Sequence, residues 1–376
     1  MSKSGIYIHI PFCRQKCSYC DFYLITNTKI VDKFISNLLT EISLYSESLK
    51  AHSFDSIFFG GGTPSILTPG DVELIIQTLK HNFNISYDAE ITIESNPEDF
   101  KDDFSKLRNY AFAGINRISF GIQSFINEEL KFLTRLHTAE TGISVIEKAK
   151  EYYDNISIDL IYSLPGQKIS DIEKSIRKAI ELEVDHISAY TLIYEKETRL
   201  YKEFSKRTNY GTPENIEREF YDYFTIRLIE SGFEHYEISN YAKQGRESRH
   251  NKKYWEYDDY IGFGPSSHSK IKNKRWSNVR NIIKYNIALK NSKLPVMGEH
   301  YLSNVEIANE FIMLGLRAKG VDTLRLKKLT GFDFIEKYKD SISELIINRF
   351  AKINGSMFSL TEKGYSISDE ILSRYF

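Results

Sequence analysis

Three side chains near the start of the chain carry the clearest chemistry. Cys13, Cys17 and Cys20 are the only cysteines among 376 residues, separated by three residues and then by two. Thiolates are soft donors, and three of them on one short loop can converge on a single inorganic group. The number matters. A 4Fe-4S cluster held by three thiolates keeps one iron without a protein ligand, open to a small chelating molecule. Zinc bound by Cys13, Cys17, Cys20 and His9 is the alternative, because four such donors close a tetrahedral shell. Zinc sites ordinarily pair two separated ligand groups, and the sequence has no second group.

The elements that must position these residues read as alternating strands and helices, the pattern of a parallel α/β sheet. Strands are expected at 5–10, 56–59, 89–95, 117–122, 156–161 and 186–191. Helices are expected near 30–42, at 69–82 and at 170–182, the first from apolar positions at Ile30, Phe34, Ile35, Leu38, Leu39 and Ile42. Six βα repeats are too few for an eight-stranded barrel, and the glycines do not follow the dinucleotide-binding spacing. The expectation is a partial (β/α)6 barrel, whose chemistry gathers where the strands end.

Several unusual residues fall at those ends. Gly60-Gly61-Gly62-Thr63 follows the second strand and lets backbone approach a ligand closely. Glu94 alternates with the isoleucines of the third strand and so faces the other side. Gln123 follows the fourth strand. Asp159 sits inside an apolar run, where a buried carboxylate needs a donor such as a hydroxyl, a sulfonium or an arginine. Arg135 is placed to bring charge to the same mouth.

Taken in chain order, these segments resemble the radical S-adenosylmethionine (SAM) proteins, and within them the oxygen-independent coproporphyrinogen III oxidase-like branch. The residues that carry the likeness are Tyr7, the cysteine motif, Gly61-Gly62-Thr63-Pro64, Glu94, Gly121-Ile122-Gln123, Arg135, and Asp159 through Gln167. The resemblance covers nearly the whole chain. It implies a 4Fe-4S cluster on Cys13, Cys17 and Cys20, with Tyr7, Gly61, Gly62, Thr63, Glu94, Gln123, Arg135 and Asp159 around SAM. It also implies an electron donor such as a flavodoxin or ferredoxin. The oxidases of this branch carry a further cysteine two residues beyond the third and a longer N-terminal extension. Here Cys20-Asp21-Phe22 stands instead. Oxidative decarboxylation of porphyrinogen propionates is therefore the second reading rather than the first.

A second motif points the same way. His250-Asn251-Lys252-Lys253-Tyr254-Trp255 resembles the His-Asn-x-x-Tyr-Trp of the heme chaperone members of the branch. By that likeness heme is the cargo and His250 its axial ligand. The turn-rich stretch Gly262-Phe263-Gly264-Pro265-Ser266-Ser267-His268 is expected as a loop able to approach the barrel mouth, which makes His268 the reserve ligand. The client is a partner such as a respiratory hemoprotein. Neutral imidazole is a common axial ligand, and a flat aromatic can lie against a porphyrin. Arg246, Arg249, Lys252 and Lys253 are the expected partners for propionates.

Composition narrows the remaining classes. Net charge is -1, and residues 300–376 hold 11 basic and 10 acidic side chains, so no phosphate-binding field argues for nucleic acid. The clustered, odd cysteine count does not read as a disulfide framework. Neither a signal peptide nor an apolar run of transmembrane length is recognisable, which sets a cytoplasmic expectation. The domain reading is a barrel over 1–235 and a connecting region over 236–299 bearing the histidine motif. A small winged-helix-like domain follows over 300–376, with helices at 305–316 and 341–351 and an extended run at 356–360. The charged, tyrosine-rich segment 195–210 reads as a linker.

Overall fold

The computed structural model describes residues 3–206 and 211–376. Strands β1 (Ser4–Ile10), β2 (Ser53–Gly61), β3 (Asn84–Ser95), β4 (Arg117–Gln123), β5 (Ile156–Tyr162) and β6 (His186–Thr191) lie parallel and side by side in chain order. Their crossovers carry α1 (Val31–Leu44), α2 (Pro69–Asn82), α3 (Ser105–Phe112), α4 (Asn127–Phe132) with α5 (Ala139–Ala149), and α6 (Ile169–Glu181). The expected six-repeat partial barrel is present, with β2 and β3 longer than the sequence patterns indicated.

Alternation explains why these segments form a two-sided sheet. Ile6, Ile8, Phe59, Ile93, Ile118, Phe120, Ile158 and Ile187 turn outward into one core against the helices. The residues between them turn inward, and most are polar. Helix α2 starts where it does because Thr68 and Asp71 form a reciprocal cap and Pro69 opens the first turn.

Beyond β6 come α7 (Arg199–Phe204), α8 (Glu214–Glu230), β7 (Glu234–Glu237), β8 (Asn240–Ala242), α9 (Arg249–Trp255), β9 (Tyr260–Phe263), β10 (His268–Ile271), β11 (Lys274–Asn278), α10 (Ile282–Lys290) and β12 (Val296–Tyr301). These strands extend the barrel at both edges into one 12-stranded sheet, in which β9 runs parallel to β1. Much of the segment 236–299 is thereby woven into the main body, and Ile261, Phe263, Trp276 and Tyr285 join its core. The glycine-rich stretch 262–268 is not a single loop. Gly262 and Phe263 finish β9, and His268 begins β10. Part of the expected linker at 195–210 is the helix α7, while 207–210 lie outside the described residues.

The C-terminal region has a core of its own. It runs α11 (Asn304–Leu316), β13 (Val321–Asp322), α12 (Thr323–Thr330), α13 (Phe334–Lys337), α14 (Lys339–Ile347), β14 (Ala351–Asn354), β15 (Met357–Leu360), α15 (Glu362–Tyr365) and α16 (Ser368–Tyr375). Its three strands pair antiparallel in the order β13-β15-β14. The helix expected over 341–351 ends at Ile347, because Arg349 takes a left-handed φ of 62° and turns the chain into β14. Among the described residues no helix is long and apolar enough to cross a membrane.

Candidate functional site

The cysteine loop leaves β1 through Pro11 and Phe12 and is sewn to the glycine turn after β2. Gly62 N donates to Ile10 O at 2.8 Å and Thr63 N to Phe12 O at 2.7 Å. Two glycines are needed for this approach. Gly61 sits at φ 109°, and a Cβ on Gly62 would lie 2.6 Å from Phe12 O. A motif that is weak evidence by itself in sequence is thus a steric requirement of the fold.

Hydrogen bonds then link two of the cysteines across the ends of β2, β3 and β4. Cys13 Sγ lies 3.2 Å from Thr63 Oγ1, which accepts from Asn96 Nδ2 at 3.1 Å. Arg135 donates to Asn96 Oδ1 at 2.5 Å, to Gly121 O at 2.9 Å and towards Cys17 Sγ at 3.6 Å. Arg135 is therefore part of the mouth. Asn96 completes this path and escaped the sequence reading, although it stands two residues beyond Glu94 where a strand meets its loop. Gln123 adopts a left-handed φ of 67°, and its amide lies over Gly121 next to Arg135.

The donor set suits an iron–sulfur cluster better than a zinc ion. Burial pushes the Cys13 thiol up to about 11, with Cys20 and Cys17 close enough to raise it further. Burial likewise raises Cys20, so metal must displace protons here. His9, the fourth donor a zinc site would need, is committed elsewhere. Its Nε2 donates to Tyr23 O at 3.2 Å, which leaves Nδ1 to accept from Tyr7 Oη at 3.2 Å. Burial also lowers His9 to about 4, keeping it neutral. Among the described residues, no three His, Cys, Asp or Glu side chains are gathered tightly enough for a single metal ion. A four-iron cube spaces its thiolates more widely than one ion does.

Tyr7, Glu94 and Asp159 form a second group, inside the barrel. They line a cavity of about 220 Å³ together with Arg117, His186 and His250. Glu94 Oε2 accepts from Gly61 N at 3.1 Å, which couples this group to the glycine turn. Burial raises Glu94 to about 8, and nearby Asp159 adds to the rise, so at neutral pH it carries a proton. Asp159 is raised by burial as well, against the lowering effect of Ser188, and accepts from Ser119 Oγ at 3.3 Å. The donor that the buried Asp159 requires is thus a pair of serines. Arg117, Ser119, Ser157, His186 and Ser188 were not singled out in sequence. The signal was available: they occupy every second position of β4, β5 and β6, between the outward-facing isoleucines.

His250 stands at the floor of this cavity, far from the cysteines. A Cβ on Gly5, near the start of β1, would lie 2.9 Å from its Nδ1, and Gly5 and Ile10 are roughly 17 Å apart at about 3.3 Å per residue. The ring packs between Tyr7 and Phe58. Its Nδ1 lies 3.1 Å from Ser56 Oγ and its Nε2 lies 2.9 Å from Tyr254 Oη. Burial lowers it to about 3, so it is neutral. The sequence placed this imidazole as an open ligand, whereas the fold buries it and occupies both nitrogens. Helix α9, which carries it, is tied to β3 because Glu90 accepts from Arg249 N at 2.9 Å and from His250 N at 3.4 Å. The expected basic cluster is also partly committed. Lys253 is buried and pairs with Asp55 at 3.1 Å and Asp258 at 3.8 Å, while Arg249 donates to Asp88 O at 2.8 Å. His268 is exposed and makes no hydrogen bond to a described side chain.

Comparison with known proteins follows from this geometry. Residues 7–179 match the family model of the radical SAM superfamily, and residues 302–367 match the HemN C-terminal domain. The heme chaperone HemW of Bacillus subtilis is 32% identical, covering 98% of this chain and 98% of its own length. The heme chaperone HemW of Lactococcus lactis is 31% identical over 99% of this chain and 97% of its own. Among solved structures, coproporphyrinogen III oxidase (HemN) from Escherichia coli superposes with a TM-score of 0.84. That match covers 99% of this chain and 89% of the oxidase at 20% identity, a likeness of fold.

Proposed function

This chain belongs to the HemW family of heme chaperones within the radical SAM superfamily, and we propose that it binds heme and passes it to client hemoproteins, a respiratory hemoprotein among them. The single observation that carries the reading is identity above 30% along the full length to chaperones, against 20% to the oxidase. The absence of a fourth cysteine at Phe22 supports it.

In this reading Cys13, Cys17 and Cys20 hold the 4Fe-4S cluster, whose remaining iron supplies a coordination position for SAM. Thr63 and Arg135 place hydrogen-bonding groups against the sulfurs of Cys13 and Cys17. Gly61, Gly62, Thr63, Gln123 and Arg135 border SAM at the mouth, and Tyr7, Glu94 and Asp159 border it from the lumen. A flavodoxin or ferredoxin is the proposed electron donor, and the cytoplasm the proposed compartment. We divide the chain into a barrel over 1–235, a motif-bearing segment over 236–299 and a C-terminal region over 300–376 that serves as a lid or client-docking surface.

Heme ligation by His250 carries a structural condition. Its Nε2 must leave Tyr254 Oη, and α9 must draw back from the barrel floor. His268 needs no such movement. The deciding experiment is a Soret-band heme titration of anaerobically reconstituted protein, comparing wild type, His250→Ala and His268→Ala, with coproporphyrinogen turnover assayed on the same samples. Saturable binding without turnover is expected, weakened by loss of the ligating histidine. Turnover without specific heme binding would return the protein to the oxidases.

A further inference from the structure

Arg117 opens β4 and is among the largest fully buried side chains, only 2% exposed. Its guanidinium nevertheless hydrogen-bonds to no described residue, and its Nε is enclosed without any partner. Glu90, Glu94 and Asp159 are close enough to feel its charge, yet none reaches ion-pair distance. A guanidinium offers five donors in a fixed fork, and burying it without acceptors is costly. Its acceptors must therefore come from outside the chain.

The surroundings select the chemistry of those acceptors. The guanidinium lines the 220 Å³ cavity beside Asp159, which already takes the hydroxyls of Ser119 and Ser188, while Tyr254 Oη is held at His250 Nε2. His186 is fixed and neutral, its Nδ1 2.8 Å from Ser157 Oγ and its Nε2 2.7 Å from Tyr236 Oη. Glu94 holds its proton at neutral pH and presents a donor rather than a repelling charge. A planar fork of donors that no described acceptor reaches, beside a Glu94 that offers a proton rather than a charge, matches a carboxylate. At about 220 Å³ the cavity falls below the roughly 300–1,000 Å³ of whole-ligand pockets, which suits one short arm rather than a macrocycle.

We propose that Arg117 anchors a carboxylate arm inserted into the barrel lumen, a heme propionate whose tetrapyrrole stays outside. The inference rests on the heme-chaperone reading and names the residue that recognises the cargo's acid group. Arg246, Arg249, Lys252 and Lys253 lie outside this cavity.

The test compares heme with its dimethyl ester by Soret titration of the full, cluster-reconstituted chain. A bidentate charged contact corresponds to a preference of about 10- to 100-fold for the diacid. Wild type should show that preference. Arg117→Gln should bind both forms at the ester's affinity, with Arg117→Lys between. Equal binding of acid and ester by wild type, a measurement that needs no variant, overturns the proposal. So does an undiminished preference in Arg117→Gln, or a variant that loses SAM affinity while keeping its preference, since the arginine would then serve SAM's carboxylate. If neither heme form binds wild type, the chaperone reading fails on its own. Sodium propionate then tests the anchor separately. It should raise the melting temperature of wild type and not of Arg117→Gln, and an equal response in both refutes a carboxylate site at Arg117.

Discussion

Replacing Gly62 by alanine should detach the cysteine loop from the barrel. The new Cβ would stand 2.6 Å from Phe12 O, 2.9 Å from Ile10 O and 3.0 Å from Phe12 N, all of them backbone atoms. Ordinary contact begins near 3.4 Å, so the loop must retreat by several tenths of an ångström. That retreat lengthens two short bonds, Gly62 N to Ile10 O at 2.8 Å and Thr63 N to Phe12 O at 2.7 Å. Each buried backbone bond contributes about 0.5–1.5 kcal/mol net, so losing both costs roughly 1–3 kcal/mol. The same movement draws Cys13 Sγ from Thr63 Oγ1 and spoils the convergence of the three thiolates. Gly70→Ala is the control. Gly70 lies in α2, and its Cβ would meet only Thr68 Oγ1 at 3.8 Å. It should stabilise by about 0.4–1 kcal/mol, because the unfolded chain loses freedom. The assay is urea unfolding together with iron and sulfide content after anaerobic reconstitution. Gly62→Ala with full cluster load and wild-type stability would refute the argument that the glycine turn seats the loop.

Cys17→Ala should fail to retain a full complement of iron and sulfide on reconstitution, and a full load in that variant overturns the cluster assignment. Tyr254→Phe removes the hydroxyl that occupies His250 Nε2, so it should tighten heme binding by roughly 2- to 10-fold if His250 is the ligand. An unchanged titration moves the axial role to His268. Stability of the apo chain should fall as pH rises from about 4.5 to 8. Glu94 is raised to about 8 and Glu41 and Glu237 to about 7 by burial. Each favours the folded state fully only below the unfolded carboxyl value, and that contribution is lost as pH climbs through the folded value. Glu94→Gln should flatten the decline, by on the order of 1.4 kcal/mol per pH unit at most; chemical denaturation at pH 5 and pH 8 reads it directly.

Local chemistry made the mouth of the barrel legible in the sequence. Cys13, Cys17 and Cys20 lie within one short loop, and Gly61, Gly62 and Thr63 within one turn, so their proximity needs no knowledge of distant contacts. The strand carrying Glu94 was equally readable, because alternation with isoleucine fixes which side that residue faces. Legibility failed where position depends on long-range pairing. Residues 260–263 are too short to announce a strand, and only their parallel pairing with β1 makes them one. His250 looked like an open ligand because its own helix says nothing about what covers it. The cover comes from Ser56 on β2, Tyr7 on β1 and Phe58, all nearly two hundred residues or more away.

By itself, then, the sequence determined the donor set, the six-strand repeat and the family pattern, all consequences of neighbours along the chain. The closed lumen was decided only in three dimensions. Glu94, Arg117, Asp159 and His186 come from four different strands, and their shared burial raises the two acids, keeps the imidazole neutral and leaves the guanidinium without a hydrogen bond to any described residue. Desolvation depends on how strands and α9 enclose a space, and no single segment encodes that enclosure.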